Sequence, residues 1–84
     1  MTALENFNAV NKSNYELRCK VNDNILLCME SMTIINKYVN SNPYTRTMKR
    51  RQSEQLEKSF NKLMNLTNIS APELRKSLYE LLKD

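Results

Sequence analysis

Between residues 21 and 39 the apolar side chains Val21, Ile25, Cys28, Met32, Ile35 and Val39 follow one another at intervals of 4, 3, 4, 3 and 4. A strand, whose side chains alternate with period two, would scatter that set over both faces, whereas an α-helix gathers it into one seam. The spacing therefore predicts a long helix over about 14–39. Leu26, Leu27, Met29, Ile34 and Tyr38 add apolar surface beside the seam, making a band wider than one neighbouring helix covers. Whatever this chain folds into has to pack against the long helix from two sides.

The start signals of the other helices are of one kind. Ser or Thr followed three residues later by Glu caps two exposed backbone amides at once; it occurs as Thr2 with Glu5, Ser13 with Glu16 and Ser70 with Glu73. Pro72 falls in a first turn, where a missing N–H is harmless. Asn40-Ser41-Asn42-Pro43 ends one helix and opens the next, because the residue before proline avoids helical geometry. With no glycine in the chain, Asn40 and Asn68 are expected at the left-handed position that closes a helix.

These signals divide the chain into helices over about 3–11, 14–39, 43–67 and 71–83. The two middle ones are nearly equal in length, roughly 37–39 Å at the α-helical rise, and the short Asn-Pro link makes them an antiparallel hairpin. Tyr44, Met48, Leu56, Phe60, Leu63 and Leu66 give the third helix an apolar side. Leu74, Leu78, Leu81 and Leu82 give the fourth a stripe that folds back onto the hairpin. The expected fold is one all-α domain over residues 1–84, a small helical bundle built on an antiparallel helical hairpin with short N-terminal and C-terminal helices.

Composition narrows the chemistry. The 84 residues include no His and no Gly. Without imidazole the Ser-His-Asp, Cys-His and His-metal arrangements are ruled out, and without Gly the tight phosphate-cradling loops are too. The acidic residues are scattered among basic neighbours, so the chain is expected not to be an enzyme and to use no cofactor or metal. Cys19 and Cys28 lie nine positions apart on one helix, which separates their Cα atoms by ~13.5 Å, beyond disulfide reach. Two free thiols fit a reducing compartment, cytoplasmic or otherwise intracellular. Asn-x-Ser/Thr triplets at Asn11, Asn65 and Asn68 are an expected by-product of 12 Asn residues. The first ten residues hold no Lys or Arg, and the longest apolar run, residues 25–29, is far below the ~18 needed for a membrane span.

The net charge of +4 is concentrated. Residues 1–40 carry four basic and four acidic groups, residues 70–84 three and three, and residues 41–69 six and two. Lys58 and Lys62 offset Glu54 and Glu57 in number, which leaves Arg46, Lys49, Arg50 and Arg51 as the surplus. Cations in the first turns of a helix oppose its dipole, a local cost that invites a function. Arg46, Lys49 and Arg50 share one face, suited to phosphates or an acidic surface. A solvated face with Arg50–Glu54 and Glu54–Lys58 pairs is the plainer expectation.

Two functional classes follow. The first is a protein-interaction module (adaptor, co-chaperone or inhibitor) that binds another protein, or a second copy of itself as a homodimer, through Leu26, Met29, Ile34 and Tyr38. The second is a small basic regulator that binds DNA or RNA through Arg46, Lys49, Arg50 and Arg51. Met29, Met32, Met48 and Met64 serve either as core filler or as adaptable contact surface.

The opening Met1-Thr2-Ala3-Leu4-Glu5, the mid-chain Pro43 at a helix turn and Leu56-Glu57 in the following helix resemble the small hairpin co-chaperones of type III secretion needle subunits. That resemblance implies a helical fold, no enzymatic activity, and packing against a partner chaperone that shields the needle subunit. The chain departs from the pattern in its Asn content, its capped helix after residue 70 and its basic cluster after Pro43.

Overall fold

The computed structural model describes residues 2–37 and 45–83, with the backbone alone for Thr45 and Arg46. Four helices follow one another: α1, Ala3–Val10; α2, Tyr15–Lys37; α3, Thr45–Thr67; and α4, Ala71–Lys83. Among the described residues there is no strand. The predicted ends of the hairpin at Tyr38, Val39, Asn40, Pro43 and Tyr44 lie outside the described residues.

The caps explain the boundaries. Thr2 Oγ1 accepts the Glu5 amide at 3.1 Å and starts α1, and α1 ends at Val10, one residue earlier than expected, with Asn11 as its cap. The start of α2 corrects the expected capping box. Asn14, not Ser13, is the cap, its Oδ1 accepting the Leu17 amide at 3.2 Å. Ser13 belongs instead to a turn in which the Asn14 amide donates to the Asn11 carbonyl at 3.0 Å. Asn and Ser cap equally well, so the preceding turn decided between them. At the end of α3, Asn68 takes φ 56°, the left-handed position expected of it. Thr67 supports that turn: its hydroxyl donates to the Leu63 carbonyl at 2.6 Å and accepts the Ile69 amide at 3.3 Å.

α2 and α3 pack along their length as a hairpin. Their register is read from two cross-links: Cys28 Sγ meets Ser59 Oγ at 3.1 Å, and Gln55 Nε2 donates to Ser31 Oγ at 2.9 Å. Three residues forward on α2 correspond to four backward on α3, so the helices are antiparallel. Ser59 also donates to the Gln55 carbonyl at 2.8 Å, and in the Cys28–Ser59 pair either atom can be the donor. Burial pushes the Cys28 thiol above its ordinary value, and the Ser59 hydroxyl partly offsets that rise.

The heptad seam divides between two neighbours. Val21, Ile25, Cys28 and Met32 are buried, together with Leu4 of α1, Leu63 of α3, and Leu74 and Leu78 of α4. The side of α2 that meets α3 is smaller and more polar, with Asn24 and Ser31 buried there. α4 packs on α1 and α2. It is pinned at one end where the Ala3 amide donates to Ser77 Oγ at 3.1 Å.

Candidate functional site

The expected partner face on α2 is divided in its exposure. Leu26 is 64% exposed and points away from the core. Met29 is half-buried against the core, on one flank of the helix. Ile34 is also half-buried; eight residues on from Leu26, it lies on the other flank at about 100° per residue. Tyr38 lies outside the described residues. The α2 band is wide, as expected, with Leu26 and Leu27 exposed.

The basic cluster is likewise divided. α3 is helical through Arg46, Lys49, Arg50 and Arg51, so Arg46, Lys49 and Arg50 share a face by register. Arg51 falls about 100° from Arg50 and about 160° from Lys49. Lys49, Arg50 and Arg51 are exposed. Arg50 Nε reaches Glu54 Oε1 at 3.7 Å, as expected. The expected Glu54–Lys58 pair does not form: among the described residues Glu54 turns to Arg50 instead. Salt bridges this exposed are screened and contribute little.

What the fold does assemble is a groove between α3 and α4. Because α4 sits on α1 and α2, the apolar side of α3 is covered only in part. A groove of about 300 Å³ opens there, lined by Met32, Leu56, Phe60, Leu78 and Tyr79, with Ser53, Glu57 and Arg75 at its margins. Leu56 and Phe60 are half-buried, and Tyr79 is 51% exposed. Glu57 of α3 and Arg75 of α4 bring opposite charges to the lining. The sequence placed Leu56 and Phe60 on the apolar side of the third helix, and nothing in it marked Tyr79 or Arg75. The available signal was length: α4, with 13 residues, is too short to cover the 23 of α3.

A second recess lies at the opposite end of the hairpin interface, with Lys20 and Asn24 of α2 facing Lys62, Asn65 and Leu66 of α3. A third, between α1 and α4, is lined by Thr2, Asn6, Glu73, Lys76, Ser77 and Glu80. It surrounds the Ala3–Ser77 hydrogen bond that fastens these helices, and its charges are of both signs.

Among the described residues no helix is long and apolar enough to cross a membrane. No protein-family model, curated protein or solved structure matches this chain.

Proposed function

We propose that this chain is a non-enzymatic protein-interaction module that docks an amphipathic helix of a partner protein in the groove between α3 and α4. The observation that supports it is the open apolar side of α3, where Leu56 and Phe60 face a trough that α4 leaves unfilled. A trough walled by two helices accepts a third helix through side chains spaced at i, i+3, i+4 and i+7. The opposed charges of the walls add a requirement. The partner helix carries an apolar strip flanked by a basic residue toward Glu57 and an acidic one toward Arg75. A co-chaperone role of the kind implied by the needle-subunit co-chaperones would use the same trough.

The test is a titration of a short amphipathic helical peptide with those flanking charges into isotope-labelled protein, read by nuclear magnetic resonance, with sedimentation measured in parallel. Shifts confined to Met32, Leu56, Phe60, Leu78 and Tyr79, lost in Tyr79→Asp, are expected. A dimer that maps to the same residues identifies a second copy as the partner and keeps the reading. A monomer whose groove signals do not move at saturating peptide overturns it.

A further inference from the structure

The side of α3 turned away from the groove carries a different chemistry. Arg51, Lys58 and Lys62 are spaced by seven and four residues, which places them in a stripe about 40° wide and roughly 16 Å long. All three are exposed. Phe60 of the groove lies about 180° around the helix from Arg51. Gln55, at the edge of the stripe, donates to Ser31 of α2, so this side of α3 borders α2. There α2 contributes Lys20, which shares a recess of about 390 Å³ with Asn24, Lys62, Asn65 and Leu66.

No acid stands within the stripe. Lys58 and Lys62, four residues apart on a helix, repel each other, and among the described residues neither forms an ion pair that would relieve the repulsion. Glu54, well placed for Lys58, faces Arg50. Lys20 has Glu16 and Asp23 as helical neighbours, which makes it the weakest member of the set.

We infer that Lys20, Arg51, Lys58 and Lys62 form a track for the phosphate backbone of a nucleic-acid duplex. The set holds no apolar or aromatic anchor of the sort that carries protein–protein affinity, nor a ring on which a single strand would stack. Asn65, exposed beside the cations, adds an amide donor suited to phosphate and sugar oxygens. With no base-reading element beside it, the track binds without sequence preference. It uses only Arg51 of the four cations that the sequence grouped together. It is also independent of the groove, which lies on the other side of α3.

The test measures fluorescence anisotropy of a labelled DNA duplex at 50 and 200 mM salt. Four phosphate contacts predict a log-log salt slope of ~−3.6, an affinity loss of about 150-fold between those concentrations. Changing all four residues to Ala is expected to abolish binding. Lys49→Ala with Arg50→Ala and, separately, Tyr79→Asp are expected to leave it intact. Lys20→Ala alone is expected to have the smallest single effect. Circular dichroism of each variant verifies that the helices persist. Equal binding by the quadruple variant, or loss in the Lys49/Arg50 variant instead, overturns the inference. So does competition by poly-glutamate or anionic phospholipid vesicles as effective as that by unlabelled duplex, which would reassign the track to an acidic protein surface or a lipid headgroup.

Discussion

The two helices that flank α2 are held by different means. Against α3 the buried Leu63 is joined by small and polar side chains, Cys28 and Ser31 on one side and Ser59 and Gln55 on the other, cross-linked at 3.1 and 2.9 Å. Against α4 the contact is made of Leu74 and Leu78, both fully buried, with Leu4 completing the cluster from α1. Hydrogen bonds between small residues fix register but bury little apolar area; leucines bury much and fix register loosely. The hairpin is thus the part whose register the hydrogen bonds specify, and α4 is held to the core through its two buried leucines. Since α4 is shared with α1, it cannot also close over α3, and that leaves the groove.

The largest break in this contrast comes from the α4 side. Leu74→Ala and Leu78→Ala each remove a fully buried side chain from the cluster that joins all four helices, and each is expected to cost ~2–5 kcal/mol by urea unfolding. In a chain of this size that approaches the entire stability, so the expected result is loss of the α1–α4 attachment. A cost near 0.5 kcal/mol for either would show that α4 is an accessory to a self-sufficient hairpin.

The hairpin seam responds in the opposite sense. Ser31 has no exposed surface, so Ser31→Leu forces added methylenes between α2 and α3 and is expected to cost ~1–3 kcal/mol through overpacking. An apolar gain at this position would instead mean that the small polar seam is a weakness of the fold and not its register device. The same seam gives a pH dependence. With its folded-state pKa raised by burial, Cys28 stays protonated in both states below its ordinary value of 9.0. Above that value the unfolded chain ionises first, so stability falls as the pH rises. Unfolding measured from pH 8 to 10 checks the sign, and Cys28→Ala should flatten the decline. Iodoacetamide should label the half-buried Cys19 well before Cys28.

The same contrast shows how far the sequence reaches. The α2 seam, the hairpin, the Thr2 cap and the left-handed Asn68 were all legible, because each depends on local spacing or on one residue's backbone preference. The groove and the charged track were not, because each depends on which faces of two helices end up side by side. Asn24 and Ser31 occur at heptad spacing with Val21, Cys28 and Ile35, so α2 bears two overlapping seams. A reading that follows only hydrophobicity sees one of them. Counting charge by segment hid the Arg51, Lys58 and Lys62 stripe in the same way. It credited both lysines to Glu54 and Glu57, although Glu54 turns to Arg50.

Smaller effects sharpen the comparison. Asn68 is the one non-glycine residue with positive φ among those described, and Asn68→Ala is expected to cost ~1 kcal/mol, because alanine lacks the local hydrogen bonding that lets Asn tolerate this region. Asn68→Gly should be neutral or slightly stabilising in the same unfolding experiment. A larger loss in the glycine variant would assign Asn68 a side-chain role beyond its backbone.

The smallest expected effect is the most diagnostic. Tyr79 and its sequence neighbour Leu78 both line the groove, yet only Leu78 belongs to the core. Leu78 is 1% exposed and Tyr79 51%, so Tyr79→Ala should change the unfolding free energy by less than ~0.5 kcal/mol, as exposed substitutions usually do. If the groove holds a partner, the same change removes an aromatic contact from the centre of an interface, where such side chains carry most of the binding energy. A variant with unchanged stability and lost peptide binding separates what folds this chain from what the chain is folded for. A stability loss comparable to that of Leu78→Ala would mean instead that Tyr79 closes the core, and the groove would then be a seam of the fold itself.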